Sequence, residues 1–263
     1  MKIVVLGGTG VLGRHVTREA AQRGHLVRVV SRHAPRSLPD GARHIALDLA
    51  VRAGRQADAA RAAALDAALT GADAVIDTVG GGRHVLVDGL RALLEEEARR
   101  GVGHHVTISI VGCDVVPMPY YRTKVQQEGV VTAGPVPWSV LRATQFHDLV
   151  ARLLAAAGKL GLRPTGRILL QPVEPAALAP LLVDAAEQGP AGRLPDVGGP
   201  QVASLGELSA LWARSGGGRR LAVPLPVGGK VGAALKSGGL CLEAGGRSVG
   251  ADFGTWLAAA GTP

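Results

Sequence analysis

Aromatic side chains are scarce. Phe and Tyr occur twice each and Trp three times, 3% of 263 residues. The core must therefore be built from Ala, Val and Leu. The same scarcity argues against a single-strand nucleic-acid groove, whose bases stack on aromatic platforms. Cysteine is nearly absent: Cys113 and Cys241 allow one bridge at most, which excludes a disulfide scaffold. No apolar run approaches the ~20 residues a bilayer span needs. The first such run, Ile3 to Leu6, stops at Gly7-Gly8 and lacks the n-region, h-region and cleavage site of a signal peptide. The expectation is a cytoplasmic protein without a membrane contact, its thiols reduced.

Glycine, in contrast, is abundant at 38 residues, about twice the usual share of ~7%. It is not periodic as in collagen, so it marks turns and close backbone approaches. Hydrophobic residues make up 47%, enough for a packed core. The net charge is +8, but the basic residues are scattered; Arg99-Arg100 and Arg219-Arg220 are the densest pairs. A scattered basic surface or an anionic small ligand accounts for this better than nucleic acid does.

Lys2 to Leu6 reads as a buried strand, and Val11 to Arg23 as a helix ending at Gly24. Leu26 to Val30, Arg43 to Leu47, Ala74 to Val79, His104 to Val111 and Trp138 to Ala143 read as further strands. Helices are expected between them over Arg55 to Leu69, Val85 to Arg100 and Tyr120 to Val131. Such alternation implies an α/β fold, a Rossmann-like doubly wound parallel sheet with helices on both faces. Beyond residue 145 the pattern loosens. Ala176 to Glu187, Ser204 to Ala213, Val231 to Lys236 and Phe253 to Ala260 look helical. The expected organisation is a dinucleotide-binding core over 1–145. A small C-terminal substrate lobe over 146–263 would complete the same domain.

Gly7-Gly8-Thr9-Gly10-Val11-Leu12-Gly13 follows the first strand and opens the first helix. A pyrophosphate must approach N–H groups at a helix N-terminus, where a Cβ would block it. Gly13 also permits close packing of helix on strand. The strand–turn–helix context favours a dinucleotide site over a purely structural turn. The ribose-reading position ~20 residues on carries Ser31-Arg32 rather than an acid, with His33 and Arg36 following. A forked cation suits a 2′-phosphate, so NADP(H) is the expected cofactor; the alternative is a solvated loop arginine. Asp48 either accepts from the adenine amine or caps a helix. Thr78-Val79-Gly80 closes the fourth strand where the cofactor would pass, or is simply a strand-ending turn.

Ser109 ends the fifth strand, and Tyr120 and Lys124 lie four apart on the next helix, sharing a face. A lysine ammonium near a phenol would lower its pKa. Tyr120 would then exchange the proton that accompanies hydride transfer, and Ser109 would hold a substrate carbonyl. The alternative is a pair of surface tyrosines, Tyr120 and Tyr121, above a salt-bridged lysine.

These stretches, with His105 to Gly112, Tyr120 to Lys124 and Trp138 to Phe146, resemble the NmrA-like, atypical short-chain dehydrogenase/reductase family. The likeness extends to Phe253 to Leu257 and so covers nearly the whole chain. It implies a Rossmann fold with NADP at the glycine loop. It also implies Arg32 at the 2′-phosphate, Lys124 at the nicotinamide ribose, and Thr144 to Phe146 bordering nicotinamide and substrate. Members of that family include reductases of carbonyls, quinones and activated double bonds, and also cofactor sensors that catalyse nothing.

Other residues read more plainly. His104 and His105 point to opposite faces of a strand, so no metal site is expected. Glu95-Glu96-Glu97 with Arg99-Arg100 reads as a solvated helix face. Cys113 reads as a small apolar residue. His147 is either an acid or base near the pocket or a histidine that starts a helix. Val111, Met118, Phe146, Leu149 and Val223 to Val227 are the expected pocket lining, suited to an apolar or mixed small molecule. The leading reading is an NADPH-dependent oxidoreductase acting on a carbonyl, quinone or enone. A non-catalytic NADP(H) sensor and a non-redox isomerase or cyclase are the alternatives.

Overall fold

The computed structural model describes residues 1–50, 59–217 and 220–260. In chain order the elements are β1 (Lys2–Leu6), α1 (Gly13–Gln22), β2 (Leu26–Ser31), β3 (Ala42–Ala46), α2 (Ala59–Leu69), β4 (Ala74–Asp77), α3 (Leu90–Arg99), β5 (His104–Ile110) and α4 (Pro119–Thr132). There follow β6 (Trp138–Ala143), α5 (His147–Lys159), β7 (Leu162–Thr165), β8 (Leu169–Leu170), α6 (Pro175–Gln188), β9 (Gly192–Arg193), β10 (Val197–Gly198) and β11 (Ala203–Ser204). The chain closes with α7 (Leu205–Trp212), β12 (Leu221–Pro224), α8 (Gly229–Lys236), β13 (Arg247–Ser248) and α9 (Phe253–Ala260). The start of the helix expected from Arg55, and Arg219 of the second arginine pair, lie outside the described residues.

Two compact units are interleaved along the sequence. One holds Met1–Ser109, Thr123–Leu141 and Leu178–Leu194; the other holds Ile110–Arg122, Arg142–Ala177 and Pro195–Pro263.

The first unit is built on a sheet in the order β6-β5-β4-β1-β2-β3, with β9 beside β6. Lys2 to Leu6 runs parallel to Leu26 to Val30 on one side, and Ile3 to Leu6 runs parallel to Ala74 to Asp77 on the other. Strand order therefore reverses at β1, the place where such sheets open a crevice at their carboxyl ends. Ile3, Val4, Val5 and Leu6 are almost fully buried, as a central parallel strand covered on both faces requires. Leu65, Leu69, Leu90, Leu93 and Leu94 from the helices pack with Val4, Leu6 and Val75 in one cluster. Each such side chain contributes roughly 1.5–3 kcal/mol relative to exposure. Rings are nearly absent from this cluster; the half-buried Trp138 packs at its edge.

Three local departures have physical causes. β4 ends at Asp77 rather than Val79, because the Asp77 carboxylate accepts the Val79 N–H at 2.9 Å and turns the chain. The helix expected from Val85 begins at His84 and runs in a wider π-type turn to Gly89 before α3. Gly89 lets it press on the Leu49 carbonyl, which a Cβ would meet at 2.1 Å. Glu97 is completely buried, which corrects the reading of Glu95-Glu96-Glu97 as a solvated face. Its neighbour Glu96 does face outward, pairing with Arg99 and Arg100.

The second unit has short strands that the sequence pattern does not mark. β12 runs parallel to β7, β11 pairs antiparallel with β8, and β10 lies between β13 and Ala143 at the end of β6. α5, α7 and α9 bury Val150, Leu154, Leu208, Trp212, Phe253 and Leu257 together. A separate cluster packs Val227, Val231 and Leu235 around α8 against Val116, Met118 and Tyr121. No helix among the described residues is long and apolar enough to cross a membrane.

Candidate cofactor-binding site

The glycine loop is shaped by its missing side chains. Gly7 adopts a left-handed conformation, with φ of 69°. Its carbonyl accepts the Gly10 N–H at 2.7 Å. A Cβ on Gly13 would lie 2.2 Å from the Gly7 oxygen and 2.7 Å from Thr78 Oγ1, so helix and loop touch with no room for a side chain. The N–H groups of Val11 and Leu12 meet no acceptor among the described residues. They lie at the start of α1, where partial positive charge accumulates.

This loop forms one wall of a cleft of about 460 Å³. Gly7, Thr9 and Gly10 line it from the loop, Ser31 and Arg32 from the end of β2, and Asp48 from beyond β3. Val79 and Gly80 line it from beyond β4, joined by Gly81, Gly82 and His84. The carboxyl ends of four adjacent strands thus converge on one crevice. Val11, Leu12 and Gly13, in the loop and first helical turn, are not among the lining residues.

The arginine and serine at β2 differ in what they offer. Arg32 is exposed and makes no ion pair among the described residues. The Ser31 hydroxyl donates to the His33 carbonyl at 2.8 Å and lies 3.0 Å from His44 Nε2. Its proton is spent on bracing the turn that presents Arg32 and His33. Asp48 caps no described helix: its carboxylate accepts the Ala50 N–H at 3.0 Å, and its carbonyl accepts from Arg61.

Lys124 is 3% exposed, deep in the first unit. Its ammonium donates to the Ile108 carbonyl at 2.8 Å and to the Gln127 side-chain oxygen. Gln127 donates in turn to Asp77 Oδ2 at 3.0 Å, and Thr107 donates to the same oxygen at 3.4 Å. Asp77 and Gln127 were not expected from the sequence. An acid inside the buried run Ala74–Asp77 was the available signal, as was a glutamine three residues beyond Lys124 on the same helical face. Ser109 is buried at the end of β5 in the same unit, and its hydroxyl has no partner among the described residues.

Tyr120 is 44% exposed, with its ring 6.2 Å from that of Tyr121. Both phenols are raised above the ordinary value rather than lowered. Burial raises Tyr120, and burial, Tyr120 and Cys113 push Tyr121 up to about 12. In the second unit Thr144 is buried and donates to the Gln171 carbonyl, while Phe146 bridges to Val173. His147 starts α5, fully buried, with Nε2 3.0 Å from the Ala251 carbonyl and rings of Phe253 and Trp256 against it. Burial holds its pKa below the usual value. Leu149 is exposed rather than turned inward, whereas Met118 and Val227 share the cluster around α8.

The strand histidines do point apart. His104 lies 2.9 Å from Ser139 Oγ, and His105 Nδ1 lies 2.9 Å from the Glu97 carboxylate. Burial pushes the Glu97 carboxyl up. Burial also opposes charge on His105, but the adjoining Glu97 carboxylate outweighs it and raises the imidazole.

Residues 7–187 match a family model described as NAD(P)H-binding. Over 112 residues, 41% of the chain, it is 37% identical to uncharacterized proteins of Mycobacterium tuberculosis and Mycobacterium bovis; the match spans 12% of those proteins. A nucleoside-diphosphate-sugar epimerase from Staphylococcus aureus superposes with a TM-score of 0.72 at 15% identity, over 98% of this chain and 99% of that one. An NADPH-dependent quinone oxidoreductase from Escherichia coli superposes with 0.70 at 16%, also over 98% and 99%. A short-chain dehydrogenase/reductase superfamily protein from Agrobacterium tumefaciens with bound NAD gives 0.68 at 18%, over 92% and 93%. These identities speak for a shared fold. The chain belongs to the NAD(P)H-binding family and carries the Rossmann-like fold of short-chain dehydrogenase/reductase proteins.

Proposed function

We propose that the chain is an NADPH-dependent oxidoreductase that reduces a carbonyl, quinone or enone of a small apolar or mixed molecule. The observation that carries the cofactor choice is Arg32. It stands exposed on the cleft at the ribose-reading position, unpaired among the described residues, where an NAD site usually bears an acid. The cleft fits a dinucleotide because Gly7, Gly10, Gly80, Gly81 and Gly82 line it without side chains, beside the start of α1.

In this reading Gly7, Thr9, Gly10, Val11, Leu12 and Gly13 hold the pyrophosphate. Arg32 takes the 2′-phosphate in a forked contact, and Ser31 braces the turn that presents it. Asp48 accepts from the adenine amine, and Val79 and Gly80 pass along the cofactor. Lys124 holds the nicotinamide ribose, and Thr144 and Phe146 border the nicotinamide. Bound NADPH supplies a hydride. Tyr120 supplies the proton that the reduced oxygen takes up, and Ser109 orients that oxygen.

The test is a titration of NADPH and NADH at matched salt, with Arg32→Ala beside the parent chain. The expected result is NADPH binding at least about tenfold tighter than NADH, a difference near 1.4 kcal/mol, abolished by Arg32→Ala. Tighter NADH binding refutes the choice. A carbonyl and quinone screen follows, in which Tyr120→Phe loses turnover with cofactor binding intact. One observation favours a second reading, a non-catalytic NADP(H) sensor: the Lys124 ammonium is engaged with Ile108 and Gln127, and neither phenol is lowered. Binding without NADPH consumption across the screen selects that reading.

A further inference from the structure

Buried charges need partners of the right polarity, because an unmatched one costs several kcal/mol. Lys124 and Asp77, each 3% exposed, are linked by one amide, that of Gln127, which is 1% exposed. The amide can satisfy both ends in one orientation only. Its oxygen faces the ammonium, and its NH2 group faces Asp77 Oδ2 at 3.0 Å. The other carboxylate oxygen, Oδ1, accepts the Val79 N–H at 2.9 Å, and Val79 lines the cofactor cleft. Asp77 must therefore accept at both oxygens, and Gln127 must carry that polarity inward to Lys124. The Ile108 carbonyl supplies a second fixed point at 2.8 Å. Both acceptors hold the ammonium at the end of its flexible four-carbon stem.

We infer that Gln127 is a positioning residue that sets the Lys124 ammonium for the nicotinamide half of the cofactor, its amide locked in orientation by Asp77. The inference rests on the cofactor reading above and adds the device that holds Lys124. It distinguishes two halves of one ligand. The adenosine half meets the glycine cleft and Arg32, which Gln127 does not touch. The nicotinamide half alone depends on Lys124.

Two variants of the full chain test it, each titrated with NADPH and with adenosine 2′,5′-bisphosphate, which presents the adenosine half only. Gln127→Met keeps length and removes the bridge. Asp77→Asn keeps shape, but its single oxygen cannot serve both Val79 and Gln127. Its NH2 group then opposes another donor, and turning Gln127 over opposes the ammonium instead. Both variants are expected to bind NADPH about tenfold weaker, the scale of one lost hydrogen bond to a charged group. Gln127→Met, which touches no residue of the cleft, should bind the bisphosphate as the parent does. Equal weakening of the two ligands by Gln127→Met marks a merely structural role and overturns the inference, as does unchanged NADPH binding in both variants. A parent chain that binds neither ligand overturns the cofactor reading itself, and this inference with it.

Discussion

Gly10 and Gly13 stand three residues apart in one loop, yet adding a methyl group to each has different consequences. At Gly13 the new Cβ falls 2.2 Å from the Gly7 oxygen, 2.7 Å from Gly8 Cα and 2.7 Å from Thr78 Oγ1. Two of these neighbours are backbone, so relief requires moving α1 off β1. Overpacking of this kind costs typically ~1–3 kcal/mol, and two backbone overlaps place Gly13→Ala at the upper end. For a domain of this size that lowers Tm by roughly 6–12 °C. At Gly10 the Cβ meets the Gly7 oxygen alone, at 3.0 Å. A few tenths of an ångström relieve that contact, and reduced freedom in the unfolded chain returns ~0.4–1 kcal/mol. Gly10→Ala is therefore expected to leave stability within about 1 kcal/mol of the parent. It nevertheless places a methyl group on the cleft wall where the pyrophosphate lies, so NADPH binding falls by about tenfold or more. Thermal unfolding paired with NADPH titration reads both quantities. Gly10→Ala with unchanged stability and unchanged NADPH affinity would refute the placement of the pyrophosphate. Gly13→Ala as stable as the parent would refute the packing argument.

Two further predictions follow from buried groups of the two units. Glu97→Leu strands His105 in a fully buried position, and loss of one partner of such a pair costs ~3–5 kcal/mol. Urea denaturation should show this, with the double variant Glu97→Leu/His105→Phe recovering part of the loss; a change under ~0.5 kcal/mol is what an ordinary surface site gives and refutes the buried pair. His147 is held below its usual pKa by burial, so the unfolded chain binds a proton that the folded chain refuses. Its contribution is present above the unfolded value of ~6.5 and is lost as pH falls below it, at up to ~1.4 kcal/mol per pH unit. His147→Phe should flatten the stability profile as pH falls below ~6.5, and an unchanged slope removes His147 as its source.

What the sequence discloses depends on how many residues carry a signal. β6 and α9 fall on the expected Trp138–Ala143 and Phe253–Ala260. Six consecutive strand residues or eight helical ones carry a local signal, and Pro137 stands just before the first of them. Two-residue strands such as β8, β10, β11 and β13 have no period to display. Their pairing is decided by distant partners, as when Val197 meets Ala143. The loosening beyond residue 145 was therefore a true property of the sequence, produced by a unit made of short pieces. The glycine loop was readable because glycine spacing after a strand is a local feature of one strand–turn–helix stretch.

Chemistry that depends on polarity order is hidden for a different reason. Glu97 sits in a run of three glutamates, and nothing local separates it from its solvated neighbours. Its burial is set by His105, eight residues on and across a turn, at 2.9 Å. Lys124 likewise looks like the partner of Tyr120 when only the helix is considered, because four residues bring two side chains to one face. In the folded chain the ammonium donates to Gln127, three residues along the helix, and to the strand carbonyl of Ile108. A buried cation takes the partners that leave the fewest unmatched groups. Asp77, 50 residues from Gln127 in sequence, closes that account by accepting from Val79 and Gln127 at once. A helical spacing names which groups of one helix can meet; it does not disclose acceptors such as Ile108 and Asp77 that lie on distant strands. Tyr120 keeps a phenol raised by burial, which holds its proton more tightly than a free phenol does.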